Sequence, residues 1–387
     1  LFCMFLSMQL SAQSPFLTAK GQCFIDSTGR EVIFHGLNFV NKDKAKGYHY
    51  ADDSLSIVKM RHWGINCIRL GVTWDALEPA PGQINEAYLR QLDDRIRWAS
   101  QQGIYVLLDM HQDLYGNKYG NGAPDWATID EGKPHYYNPD AWDDSYFLSA
   151  AVQTSFDNFW QNKPAPDSTG IQDHLVADWA LLAKRYAGEP AVIGFDLMNE
   201  PFIGSNVSKV LAAFVRTVAE GVNLSEEEVM KRWSTEEGKA YLMQRLNDTV
   251  LYKQFIDGPE QYYADFEKTA LIPYFLKAAT AIRAVNRQQL IFIEPSVSAN
   301  FGVQTHIADF LQQDKTIIGR VGQPASRQNI IHYLIHMCFY KVYIQLLLVV
   351  QHIIIIKNNV ARLLLHDPEY LRYRDLLSFQ GNQQRVL

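Results

Sequence analysis

Glu200 ends an apolar run, Phe195-Asp196-Leu197-Met198-Asn199-Glu200-Pro201, and is the residue best placed for acid/base chemistry. A carboxyl at the end of a buried strand is partly desolvated, which raises its pKa toward working pH. Asn199 beside it can donate a hydrogen bond to a sugar hydroxyl, and Pro201 forces the chain out of the strand immediately afterwards. Glycoside hydrolysis is one reaction that needs such a group. One carboxylic acid protonates the leaving oxygen while a second carboxylate serves as nucleophile or base. A lone Glu after a strand is ordinarily a surface carboxylate. Asn-Glu-Pro after an apolar strand in a βα series reverses that judgement.

The elements that must position Glu200 alternate along the chain from residue 31 to about 296. Continuous apolar runs at 32–36, 66–70, 105–109, 192–197 and 290–293 predict strands buried on both faces. Amphipathic segments at 51–63, 87–102, 173–187 and 266–285 predict the helices between them. Strict alternation implies a parallel sheet with crossover helices. Arg69, His111 and Asn199-Glu200 all sit at or just beyond the C-terminal ends of these runs, where the strands of a barrel converge on one mouth. A doubly wound sheet would place a Gly-rich turn after its first strand, and the sequence has none. The expected fold is therefore an α/β (β/α)8 TIM barrel. Two insertions, 113–165 and 201–265, leave from the mouth side.

The motifs resemble a known family. Apolar strand followed by Asn199-Glu200-Pro201 resembles the fourth strand of glycoside hydrolase family 5. Ile68-Arg69-Leu70-Gly71-Val72-Thr73-Trp74 is similar to its second strand, and Asp109-Met110-His111-Gln112-Asp113 to its third. With Gly120-Asn121-Gly122-Ala123-Pro124-Asp125-Trp126-Ala127, the third-strand motif resembles the endoglycoceramidase branch, whose members cleave between oligosaccharide and ceramide in glycosphingolipids. The resemblance covers about residues 20–310. It implies a retaining O-glycosyl hydrolase with Glu200 as acid/base, and with Arg69 holding the nucleophile's carboxylate. His111 would line the mouth, against the alternative of a core histidine. Asp113 and Lys42 would bond sugar hydroxyls, and Trp126 would offer a stacking face; a solvated Lys and a core Trp are the alternatives. A glycan or glycosphingolipid is the expected partner, with association at a membrane surface, and no cofactor or metal is expected.

The family's nucleophile, a Glu near the end of the seventh strand, has no counterpart motif. Beyond Glu294 the one glutamate is Glu369, in His366-Asp367-Pro368-Glu369-Tyr370, without an apolar strand before it. Glu294, in Ile293-Glu294-Pro295, falls where the resemblance places the fifth strand and reads as a structural or binding carboxylate. Asn329-Ile330-Ile331-His332-Tyr333 begins like a sixth strand. From Ala325 to His366 there is then no Asp or Glu. A reading-frame shift, a translated intron or a membrane anchor over 333–356 would each account for that shift, the run Val342 to Ile356 being about as short as a span can be. The barrel is therefore expected to occupy 20–331 with strands one to six and to be incomplete at its C-terminal end, with 332–387 an atypical tail. In that case a retaining reaction would lack its nucleophile, which leaves a non-catalytic glycan- or glycolipid-binding remnant as the alternative function.

Composition sets the outer bounds. The chain has 387 residues, 47% hydrophobic and 20% charged, enough for a sizeable core. A net charge of −6 without clustered Lys and Arg argues against nucleic acid. Residues 1–12 are apolar and end Ser11-Ala12, like the second half of a secretory signal peptide, or like a buried first strand. Sequons at Asn206, Asn223 and Asn247 agree with a secreted, extracellular or lysosomal glycoprotein. Of the four cysteines, Cys23 and Cys67 are candidates for a disulfide, and no metal-ligand spacing occurs among them.

Overall fold

The computed structural model describes residues 16–309 apart from 21–22 and 140, all within the first of the chain's two units, Leu1–Met337. Five parallel strands carry the site, in the order β4 (Gly36–Phe39), β5 (Cys67–Thr73), β6 (Tyr105–His111), β7 (Val192–Asp196) and β8 (Leu290–Phe292). Every residue of β5 and β7 is buried, as runs covered on both faces must be. Side chains alternate between two environments. Ile68, Leu70, Val72, Val106, Leu108 and Met110 join the large core against the helices. Cys67 and Leu107 face inward instead and meet Ile193 and Phe292.

That inward cluster is closed by a small antiparallel sheet, β1 (Thr18–Lys20), β2 (Cys23–Ile25) and β3 (Glu31–Val32), which sends Leu17 and Ala19 against it. The expected first barrel strand at 32–36 is therefore corrected. Val32 ends β3, Ile33 is exposed, and the barrel begins at Gly36. Asn66 explains the break: its Nδ2 donates to Ile33 O at 2.8 Å and its Oδ1 accepts from His35 N at 2.7 Å. The side chain thus ties down the segment that crosses from one sheet to the other. Cys23 and Cys67 are not joined by a disulfide, although both serve this region.

Helices run Asp53–His62, Glu86–Gln101, Ile171–Arg185 and Ile272–Val285, close to expectation. The expected single helix over 266–285 is divided, with a π turn at Glu267–Leu271 before Ile272. Pro273 supplies the reason, since it has no N–H to donate and its ring crowds the preceding turn. The first insertion folds around a helix at Ala150–Trp160, and the second is a helical excursion that includes Val207–Val222. Among the described residues no helix is long and apolar enough to cross a membrane. The expected sixth strand, the tail and the proposed signal segment lie outside the described residues.

Close strand packing has a testable cost. A Cβ on Gly194 would collide with Leu290 O and come within 2.6 Å of the Phe292 ring. Gly194→Ala should lower stability by about 1–3 kcal/mol in urea denaturation, because β7 and β8 cannot separate without breaking their ladder. Unchanged stability would mean that β8 is not held against β7 as described.

Candidate functional site

Arg69 lies on the inward face of β5 and is almost fully buried. Its guanidinium meets three carboxylates: Nη2 is 2.8 Å from Asp109 Oδ1, 2.7 Å from Asp196 Oδ2 and 2.8 Å from Glu294 Oε1. Nε donates to Asp196 at 2.8 Å and Nη1 to Asn199 Oδ1 at 3.2 Å. Groups from three neighbouring strands, β6, β7 and β8, therefore converge on the one cation of β5. Three acids against one Arg cannot all ionise cheaply in a buried space. Burial, then Asp196, pushes the Glu294 carboxyl well above its usual value, with Arg69 opposing. Burial likewise raises Asp196, again against Arg69.

A second chain of groups leads outward from β6. His111 Nδ1 is 2.8 Å from Asp109 Oδ2, which orients the ring. Its Nε2 lies 3.7 Å from Asp113 Oδ2 and is buried without a hydrogen-bond partner among the described residues. Burial opposes charge on His111, but Asp109 outweighs it and holds the imidazole above its ordinary pKa. Asp113 in turn accepts from Asn121 Nδ2 at 2.5 Å and pairs with Lys42 Nζ at 2.5 Å. Burial alone would raise Asp113; His111 and Lys42 instead bring it well below the usual carboxylate range.

Glu200 sits between these two groups, and its backbone is clamped from both sides. Its N–H donates to Glu294 Oε2 at 2.9 Å, and its carbonyl accepts from Gln112 Nε2 at 3.1 Å. Its φ is +46°, the left-handed region that costs a non-glycine residue about 1–3 kcal/mol. The clamp holds that conformation. Burial, then Asp113, raises the Glu200 carboxyl above its usual value, while His111, Arg69 and Lys42 pull the other way. Such a carboxyl can hold a proton and still release it, as acid/base exchange requires.

Six of the seven residues expected at the site are joined in this network: Glu200, Asn199, Arg69, His111, Asp113 and Lys42. Asn199 is more committed than expected, because Nδ2 donates to Gln112 O at 3.0 Å and Oδ1 accepts from Arg69. Trp126 is partly buried and bound elsewhere. Its Nε1 donates to Glu78 O at 3.0 Å, and its ring meets Trp74 and His174 edge to face. It belongs to a wall cluster that Glu78 organises by accepting from Trp74 Nε1 at 3.0 Å and meeting His174 Nδ1 at 2.8 Å. Sequence reasoning missed Asp109 and Asp196 as partners of Arg69, although Asp196 ends its apolar strand and Asp109 lies near the end of its own, and it missed Gln112 and Glu78. Asp367 and Glu369 lie outside the described residues. Among the described residues no group of His, Cys, Asp or Glu is arranged to hold a metal ion.

Comparison with known proteins bears on the family and the fold. The family model Cellulase (glycosyl hydrolase family 5) matches residues 25–337. Endoglycoceramidase I of Rhodococcus hoagii (strain 103S) is 38% identical over 194 residues, covering 49% of this chain and 37% of that protein. Endoglycoceramidase of Hydra vulgaris is 32% identical over 257 residues, covering 58% of this chain and 48% of that protein. The chain thus spans less than half the length of these relatives. Among solved structures, endo-glycoceramidase II from Rhodococcus sp., in its five-membered iminocyclitol complex, is similar with a TM-score of 0.57 and 25% identity, over 81% of this chain and 57% of that one. With the parallel strands, the strand-end carboxylates and the match over most of its length, the chain belongs to glycosyl hydrolase family 5 and has that family's (β/α)8 barrel fold.

Proposed function

We propose that the chain is part of a retaining O-glycosyl hydrolase that cleaves the bond between oligosaccharide and ceramide in glycosphingolipids, with Glu200 as acid/base. The observation that carries this reading is the clamped Glu200. It is a carboxyl of raised pKa, held at the strand ends beside a buried Arg and within a network that includes His111, Asp113 and Lys42. Its proton would pass to the leaving glycosidic oxygen, and the resulting carboxylate would later take a proton from water. His111 Nε2, without a hydrogen-bond partner among the described residues, would bond a sugar hydroxyl. The likeness to endoglycoceramidases supports the choice of a glycolipid.

One observation favours a second reading. The carboxylate that Arg69 holds beside Glu200 is Glu294 of the fifth barrel strand, whereas the resemblance places the nucleophile on the seventh. A chain without that nucleophile would bind glycan and not turn it over. Hydrolysis of a fluorescent glycosphingolipid by the purified chain separates the two. Release of free oligosaccharide and ceramide is the expected result. Saturable binding without release would sink the hydrolase reading and leave a glycolipid-binding protein. Secretion and N-glycosylation belong to the same proposal, supported by the exposed sequon residues Asn206, Asn223 and Asn247.

A further inference from the structure

The end of the fifth barrel strand grips Glu200 twice. Glu294 accepts from the Glu200 backbone, and six residues later Asn300 Nδ2 donates to Glu200 Oε1 at 3.2 Å. Asn300 is exposed, but its backbone is fixed. It lies in a short 3-10 helix, Val297–Phe301, which Gly302 closes with φ +95°. Val297 N donates to Pro201 O at 3.0 Å, tying the helix to the residue after Glu200. Downstream, Thr305 Oγ1 and His306 N both donate to the buried Glu267 carboxylate, at 2.7 Å each. The segment that presents Asn300 is thus fastened at both ends.

We propose that Asn300 is a positioning residue for the acid/base, its amide occupying Oε1 so that Oε2 is the oxygen that carries the transferable proton. This rests on the reading of Glu200 as acid/base. A carboxyl has two oxygens, and a proton on the wrong one cannot reach the leaving group without rotation. A neutral donor on Oε1 removes that choice and favours the ionised form. It therefore opposes the burial and the Asp113 charge that favour the neutral form. The other groups whose charge reaches Glu200 are His111 at the end of β6, Arg69 on β5 and Lys42 beyond β4, while the neutral Tyr146 phenol of the first insertion lies nearby and Glu294 meets its backbone. Asn300 adds control without adding charge.

The test requires no substrate. Titration of the Glu200 carboxyl by 13C NMR, in the full chain labelled at glutamate carboxyls, reads its midpoint directly, with Glu200→Gln assigning the resonance. Asn300→Ala should raise the midpoint by about half a unit to one unit, the size of one lost hydrogen bond to the charged form. Asn300→Asp should raise it further, and Asn300→Gln, which keeps the donor, should lie nearest to the parent chain. Asn300→Ser serves if the Ala variant does not fold. A midpoint unmoved in both the Ala and Asp variants overturns the proposal. Because the readout is a titration, lack of glycosphingolipid turnover would count against the proposed function and leave this result standing.

Discussion

Replacing Arg69 with Met should cost about 3–5 kcal/mol of stability at neutral pH, one of the largest losses expected from a single substitution here. Met matches much of the stem and removes only the cation. Asp109, Asp196 and Glu294 then share a buried space without the cation that met all three, His111 reaching Asp109 alone. The sign of the pH dependence follows from their titration. Burial already holds Asp196 and Glu294 above their unfolded values, so each favours the folded state when protonated and opposes it once ionised. Loss of Arg69 removes the group that opposes this rise. The deficit of the variant should therefore be smallest below the unfolded carboxyl range and grow as pH rises through the raised folded values. Urea denaturation of both chains at acidic and neutral pH measures it. A deficit that shrank with rising pH would refute the account, and one below about 1 kcal/mol at neutral pH would mean that Arg69 contributes no more than an exposed ion pair does.

Glu200→Gln is expected to reduce kcat/KM on a glycosphingolipid by roughly 100- to 10,000-fold, the range for a general acid. Gln keeps the shape, and its amide oxygen can still accept from Asn300 Nδ2, but it has no acidic proton to give. The leaving group discriminates this role from a structural one. An aryl glycoside whose phenol leaves without protonation should lose far less in its first step, and added azide should restore release of product, since a small anion replaces the deprotonated base in the second step. An equal loss on both substrates, with folding intact, would point to damage at the site and not to a missing acid. The alkaline fall of activity in the parent chain should lie above that of an ordinary carboxyl, because burial and Asp113 hold Glu200 up.

Both effects depend on contacts between residues far apart in the chain, and there the sequence is informative only in part. Apolar runs bounded by polar ends announce β5 to β8 because strands covered on both faces need continuous apolar side chains. They announce Arg69, His111 and Glu200 as mouth residues because a barrel sends all C-terminal strand ends to one side. At 32–36 the same logic fails. An apolar composition does not disclose that the Asn66 side chain intercepts Ile33 and His35 and hands the strand role to Gly36–Phe39. The helix over 266–285 is legible, while its π turn reflects how one proline is accommodated.

The sequence by itself determined the alternation of strand and helix, the family motifs and the identity of the acid/base candidate, since these rest on local composition and spacing. Tertiary structure alone decided what surrounds them. Between Val106 and Leu107 the register with β7 shifts by one residue, so that Asp109 stands opposite Asp196 and not opposite Phe195. With a side-chain period of two, that single bulge sets whether a second carboxylate or an aromatic ring faces Arg69. The left-handed backbone at Glu200 and its grip by Glu294 and Asn300 are likewise invisible in a linear reading. Strand periodicity specifies which face a residue takes, but only the register of neighbouring strands specifies which residue it meets.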